Sequence, residues 1–132
     1  MEQFDEPDST TKNPEKPKPE WIVENDYELV IKASKEIQYR LERVSGTTTI
    51  IGMGAVFNSM TKEAEKTDKN LHQFCLNIKN KFQRLSYVRN QLCHNHTVTA
   101  VIDRDQFIED CEDLIRLLDE KLQRDGYYLL HF

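Results

Sequence analysis

The sequence has no proline beyond Pro19, and its proline-rich composition is confined to the first twenty residues. This segment is acidic, and Phe4 is its only large aromatic side chain. It therefore cannot bury enough apolar surface to offset the entropy lost on ordering. We expect residues 1–20 to form a disordered, acidic, proline-rich linker. The remaining residues, 21–132, are enough for one domain but not for two.

Long apolar runs and paired cysteines are also missing. No run approaches the ~20 apolar residues needed to span a bilayer, and the acidic N-terminus lacks the apolar core of a signal peptide. Cys75, Cys93 and Cys111 are odd in number, and each falls within a helical pattern. Reduced, buried thiols explain them better than a disulfide framework does. We therefore expect a protein that is not in a membrane and is intracellular, in the cytoplasm or nucleus.

A convincing pair of β-strands is absent as well. Residues 47–51 are rich in β-branched side chains and would suit a strand, but no second run offers a partner. Apolar residues between 50 and 64 also fit helical spacing, interrupted by Gly52 and Gly54. We predict a short helix, or an irregular segment that becomes helical near Gly54. A phosphate-binding glycine loop is disfavoured because the Gly-Lys-Ser/Thr ending and the preceding strand are missing.

Two long segments before the C-terminal third show the three- and four-residue spacing of an amphipathic helix. We predict that the first helix opens at residues 19–21 and ends at Gly46, which suits a C-cap. The strongest helix begins at Thr67 or Asp68. The apolar positions are Ile22, Leu29, Val30, Ala33, Ile37, Leu41 and Val44 in the first segment, and Leu71, Phe74, Cys75, Ile78, Phe82, Leu85, Val88 and Leu92 in the second.

The last helix follows a break in the helical pattern after His96. Asp103 with Gln106 three residues later forms a capping box, and residues 125–126 end the helix. Residues 127–132 are apolar, so we expect them to pack onto the bundle or onto a partner. These patterns together predict an all-α fold, a bundle of four to five helices.

The net charge of −5 is unevenly distributed. Residues 68–98 carry one acid and five bases, whereas residues 99–132 carry nine acids and four bases. Because a local basic patch governs phosphate affinity more than total charge does, we predict that Lys79, Lys81 and Arg84 contact nucleic-acid phosphates. The alternative is a solvated basic face that pairs with an acidic neighbouring helix.

Arg89 occupies a position where the pattern of its helix calls for an apolar residue. At about 100° per residue, it lies at the angular centre of the apolar stripe. A guanidinium is costly to bury without a partner, so an arginine at such a position usually meets an anion or lines a cleft. The alternatives are that Arg89 extends to solvent near the end of the helix, or that it pairs with an acid on the last helix.

Histidine and amide side chains follow Arg89 closely. Asn90 and His94 are four residues apart and share an adjacent helix face, while His96 would return to the face of Arg89 if the helix persisted. A cation beside a histidine can do acid–base work on a phosphodiester. Zinc binding by Cys93, His94 and His96 is disfavoured because no second ligand cluster appears. A nucleophilic Cys93 is disfavoured because its helical position suggests packing.

The segment Arg89-Asn90-Gln91-Leu92-Cys93-His94 resembles the arginine–polar–three residues–histidine signature of HEPN domains, a superfamily of helical nucleotide-binding and ribonuclease modules. In that family the signature lies toward the end of a long helix, with another helix after a short connection. The similar organisation here covers roughly residues 21–123. The resemblance implies that Arg89 and His94 form the catalytic pair, that Asn90 supports them, and that His96 fits a longer spacing variant.

The resemblance further implies a metal-independent endoribonuclease that cleaves single-stranded RNA and leaves a cyclic phosphate. Such domains commonly form homodimers that bring two motifs into one cleft, and no cofactor or metal is expected. Many family members are inactive, so the alternative is a non-catalytic RNA-binding, protein-interaction or dimerisation module. Because the charged head resembles a linker, we also expect other domains in a longer RNA-processing protein.

Overall fold

A computed structural model describes residues 17–46 and 52–126. Within these residues it contains α-helices and no β-strand, which confirms the predicted all-α bundle. None of the described helices is long and apolar enough to cross a membrane. The four helices are α1 (Asp26–Ser45), α2 (Met53–Thr67), α3 (Lys69–His94) and α4 (Arg104–Arg124).

The helix ends follow from local side-chain chemistry. Asp68 accepts a hydrogen bond from the backbone N–H of Leu71 and caps α3, as predicted. Asp103 accepts one from the N–H of Gln106 and caps α4. Gly46 ends α1 with a φ of 75°, a left-handed conformation that glycine adopts without steric cost. Three of the predicted boundaries are thus confirmed.

The prediction that α1 opens at residues 19–21 is wrong. The side chain of Asn25 accepts a hydrogen bond from the N–H of Glu28, so the helix starts at Asp26 instead. Trp21 precedes the helix and is buried, with 7% of its surface exposed. The Arg104 side chain donates to backbone carbonyls of residues 23 and 24, which a continuing helix would have used internally.

The second helix begins close to the predicted position. Gly52 is its N-cap residue and Met53 its first residue, which agrees with a chain that becomes helical near Gly54. The predicted apolar stripe is buried at Phe57, Met60 and Ala64. Residues 47–51, whose β-branched composition would suit a strand, lie outside the described residues. The apolar residues 127–132 also lie outside them.

Contacts between side chains define the helix directions. Arg104 pairs with Asp26 at the helix N-termini and Arg40 pairs with Asp119 further along, so α1 and α4 run parallel. Phe57 stacks on Phe82 at a centroid distance of 4.4 Å in the packing of α2 against α3. The predicted stripes face one shared core, whose fully buried members include Leu29, Val30, Ala33, Ile37, Leu41, Cys75, Cys111, Leu114 and Leu118.

The three cysteines are free thiols, but only two of them are buried. Burial raises the pKa of Cys75, opposed by a hydrogen bond from Thr61. Burial also raises the pKa of Cys111 strongly, which makes that thiol a poor nucleophile. The expectation that Cys93 is packed is wrong, because it lies exposed near the end of α3. Its position one residue after the buried Leu92 turns it out of the core.

Candidate functional site

Arg89 lines a groove of about 300 Å³ between the beginning of α2 and the second half of α3. Its side chain is half-buried, although its position in the α3 pattern is central to the apolar stripe. The groove is present because α2 begins at Met53, at the level of Arg89, and Gly54 has no side chain to cover the space. A Cβ added at Gly54 would meet no atom within 4 Å. The lining is Met53, Gly54, Phe57, Asn58, Lys79, Phe82, Gln83, Ser86, Arg89 and Asn90.

Within the described residues, Arg89 forms no hydrogen bond and no ion pair. Four other arginines differ in this respect, because they pair with carboxylates of their own or a neighbouring helix. These pairs are Arg40 with Glu36 and Asp119, Arg84 with Asp110, Arg104 with Asp26, and Arg116 with Asp113 and Glu120. The predicted alternative in which Arg89 pairs with an acid of α4 therefore does not occur, since the α4 carboxylates nearest to α3 bind other cations.

The polar lining of this groove combines cations with neutral groups. Lys79 and Arg89 supply two positive charges, and no carboxylate of a described residue lines the groove. Asn58, Gln83 and Asn90 add amides that can donate hydrogen bonds. Ser86, one turn before Asn90 on α3, adds a hydroxyl. Donors and positive charge without a competing acid form an environment that favours an anion. We call this cavity the Arg89 groove.

His94 and His96 lie differently with respect to the Arg89 groove. His94 is the last residue of α3, exposed, one turn beyond Asn90 on a neighbouring face, about 40° around the axis. On the same geometry His94 lies about 140° around the helix axis from Arg89, and it does not line the groove. The helix ends there, with Asn95 as C-cap. His96 is outside the helix, so the geometric argument that placed it on the face of Arg89 does not apply.

The end of α3 is held by a turn centred on Asn95. Its side-chain oxygen accepts hydrogen bonds from the backbone N–H and from the hydroxyl of Thr97, at 3.1 and 2.7 Å. The N–H of Val98 donates to the Asn95 carbonyl at 2.9 Å. An asparagine that binds the backbone two residues later competes with helix continuation. This local chemistry turns the chain and carries His96 away from the helix axis.

The three bases predicted to contact nucleic-acid phosphates are not equivalent. Lys79 is exposed and lines the Arg89 groove. Arg84 donates two hydrogen bonds to the buried Asp110, at 2.8 and 2.9 Å, and Lys81 lies 4.0 Å from Asp113. Pairing with an acidic neighbouring helix, the alternative left open by the sequence, thus describes Arg84 and Lys81. Of the three, only Lys79 joins Arg89 in one cavity.

Metal coordination has little support in the described part of the chain. No group of three or more histidine, cysteine, aspartate or glutamate side chains lies close enough there to hold a metal ion. Cys93 and His94 are neighbours in sequence, but His96 leaves the helix. A tetrahedral site would need further ligands.

Sequence reasoning missed several groups of the Arg89 groove. The sequence pattern does not single out Ser86 or Asn58, although both line the groove. Helical spacing could have found Ser86, because it lies one turn before Asn90 on the same side of α3. Nothing local could have found Asn58, because its place depends on how α2 packs along α3.

Comparison with known proteins adds no relative to this picture. No family model matches the chain, and neither a curated protein nor a solved structure matches it. The resemblance to HEPN domains therefore stays a prediction based on residues 89–94 and their helical setting.

Proposed function

We propose that the Arg89 groove binds a phosphate group of single-stranded RNA. The observation that carries this proposal is the position of Arg89 in a groove that contains a second cation and, among the described residues, no carboxylate. The guanidinium presents a planar fork of donors that matches two phosphoryl oxygens. Lys79 adds a mobile charge at the same groove, and the amide of Asn90 can donate a further hydrogen bond.

The proposed activity is metal-independent endoribonuclease cleavage. Arg89 would hold the scissile phosphate, and the 2′-hydroxyl of the preceding ribose would attack the phosphorus. His94, one turn beyond Asn90 at the end of α3, would accept the hydroxyl proton or donate a proton to the departing 5′-oxygen. The P–O5′ bond breaks and a cyclic phosphate remains. This step requires neither a metal nor a cofactor. The HEPN resemblance supports the same pair and adds a homodimer in which two motifs share a cleft.

A cleavage assay on labelled single-stranded RNA in EDTA tests this activity. We expect wild-type cleavage with a cyclic phosphate end, and its loss in Arg89→Gln and His94→Ala. Arg124→Gln is the matched control, since it removes the same charge from an exposed site at the end of α4. His96→Ala separates the two histidines and should retain activity, because His96 lies beyond the end of α3.

The proposal of catalysis fails if the folded wild-type protein leaves the RNA intact, or if Arg89→Gln and His94→Ala cleave as well as Arg124→Gln does. Circular dichroism of each variant establishes that the helices persist. Cleavage that is lost in His96→Ala but kept in His94→Ala would assign the proton transfer to the other histidine.

The second candidate is a non-catalytic RNA-binding module that uses the same groove. One observation favours it: neither His94 nor His96 lines the Arg89 groove, so an anion can be held there without a histidine in contact. RNA binding that depends on Arg89 and Lys79, with no cleavage and no effect of His94→Ala, would distinguish this function from the enzyme. Loss of binding should then be similar for Arg89→Gln and Lys79→Gln.

A further inference from the structure

A second and larger groove lies on another side of α3. Its volume is about 540 Å³, and its walls are the second half of α3, the connection before α4, and the first turns of α4. We call it the apolar groove. Its rim carries two exposed large side chains, Tyr87 at 65% and Ile102 at 98% exposure. Its other apolar lining residues are Val88, Val98, Ala100, Val101 and Phe107.

The charges of the apolar groove do not suit a polyanion. Among the described lining residues Arg84 is the one cation, and its guanidinium already binds the Asp110 carboxylate, which also lines the groove. Asp103, the acidic N-cap of α4, is a third charged lining group. RNA phosphates would therefore meet a paired cation and an additional acid, while aliphatic side chains would meet apolar walls. The chemistry of this groove fits an apolar polypeptide segment.

The groove is held in place by contacts of its connecting segment. The Asp26 carboxylate accepts a hydrogen bond from the backbone N–H of Val101 at 2.7 Å and pairs with Arg104 at 2.6 Å. The hydroxyl of Tyr27 donates to the carbonyl of Val98. Ile102 therefore protrudes into solvent from an anchored segment. A preformed surface of this kind binds with little additional ordering cost.

We propose that the apolar groove binds residues 127–132 of a second copy of the chain. This segment, Tyr127-Tyr128-Leu129-Leu130-His131-Phe132, is apolar at five of its six positions. The other segments outside the described residues are less suitable. Residues 1–16 contain one aromatic residue among mostly polar ones, and residues 47–51 are tethered at both ends between α1 and α2.

The length of the chain prevents the same copy from filling its own groove. From Asp110, the groove residue furthest along α4, to Gly126 the helix and its end extend about 24 Å. The six residues after Gly126 span at most about 21 Å when fully extended. They can therefore reach the end of their own groove at Asn80, which lies beside Asp113, but not the end at Ile102. A second copy removes this restriction.

An antiparallel arrangement of two copies of α4 overcomes the distance between the end of α4 and the apolar groove. It places the C-terminal end of each α4 near the beginning of the other, where the apolar groove opens. Each copy then donates one segment and accepts one. Such a reciprocal exchange closes after two copies, as a two-fold symmetric dimer.

The test is the oligomeric state of the full chain, measured by sedimentation and light scattering over a range of concentrations. We expect a dimer for the wild type. Ile102→Asp in the groove and the pair Leu129→Asp with Leu130→Asp in the donated segment should each raise the dimer dissociation constant by about thirtyfold or more. Leu76→Asp is the matched control: Leu76 is 44% exposed on α3 and does not line the groove, so the dimer should persist.

A mixing experiment distinguishes the exchange of residues 127–132 between copies from other modes of dimerisation. Ile102→Asp keeps an intact donated segment, and the Leu129/Leu130 variant keeps an intact groove, so their mixture should form heterodimers that neither forms alone. A monomeric wild type would overturn the proposal. So would a dimer that Ile102→Asp weakens and the Leu129/Leu130 variant does not, because the groove would then contact the groove of its partner.

Discussion

Arg84 on α3 donates two hydrogen bonds to the Asp110 carboxylate on α4, from Nε at 2.8 Å and from Nη2 at 2.9 Å. Gln106 donates a third to the same carboxylate. Arg89 follows five residues later on the same helix, yet forms no such pair with any described residue. The two arginines therefore differ in their contacts: Arg84 joins two helices, whereas the Arg89 guanidinium has no carboxylate partner among the described residues.

Loss of the Arg84 guanidinium should destabilise the fold. The Asp110 side chain is only 6% exposed, so Arg84→Gln leaves a buried carboxylate with one neutral donor. Because Arg84 itself is half exposed, we expect a loss of about 1–3 kcal/mol in the free energy of unfolding at pH 7, less than for a fully buried pair. Urea denaturation measures this loss. Arg116→Gln, which breaks exposed pairs within α4, should change the stability by less than about 0.5 kcal/mol.

The same pair should make stability depend on pH. The hydrogen bond from Arg84 holds the pKa of Asp110 below its ordinary value of 3.8, against the opposing effect of burial. A carboxyl whose pKa is lowered by folding contributes stability above its unfolded pKa and loses it as the pH falls through the folded one. The contribution should thus be complete above about pH 5 and decline below 3.8. Urea titrations from pH 7 to pH 2 should show a smaller decline in Arg84→Gln than in the wild type.

Two glycines should respond to alanine with opposite signs. Gly46 has a φ of 75°, so Gly46→Ala should lower the free energy of unfolding by about 1 kcal/mol. Gly54 lies in the first turn of α2, where an added Cβ meets no atom within 4 Å. Gly54→Ala should raise the stability by about 0.5–1 kcal/mol because alanine loses less backbone entropy. Equal effects in urea denaturation would contradict the assigned backbone conformations.

The helix-capping predictions succeeded where the determining chemistry is local. Asp68 and Asp103 cap their helices through side chains that bond the backbone three residues later. Gly46 ends its helix because a left-handed residue favours glycine. The prediction of where α1 starts was wrong because both Asn25 and Pro19 are suited to the beginning of a helix. The sequence alone does not show which of the two is used.

The candidate site depends on long-range packing. The apolar stripe of α3 predicts that Arg89 faces inward, but not that α2 begins beside it and leaves a groove. That geometry also decides which polar groups join Arg89. The positions of the two histidines depend on a local feature with a weak sequence signal, the turn at Asn95 that ends α3 at His94. Helical periodicity does not reveal this end, so it would place His96 on the same helix face as Arg89.

The buried hydroxyl of Ser34 offers a stabilising substitution. Ser34 lies in α1 at 6% exposure, and its Oγ has no hydrogen-bond partner among the described residues. An unsatisfied buried hydroxyl is unfavourable, and alanine has the higher helix propensity. Ser34→Ala should raise the free energy of unfolding by about 1 kcal/mol, measured by urea denaturation. A loss of stability would show that the hydroxyl is bonded in solution.

Arg89→Leu should separate stability from RNA binding. Leucine suits the centre of the apolar stripe, so the half-buried position should gain about 0.5–1 kcal/mol in the free energy of unfolding. The same change removes the proposed phosphate ligand and should weaken single-stranded RNA binding by about tenfold, measured by fluorescence anisotropy. Arg124→Leu removes an equal charge at the end of α4 and should leave RNA affinity within about twofold. A destabilised Arg89→Leu protein with unchanged affinity would mean that Arg89 supports the fold instead of binding RNA.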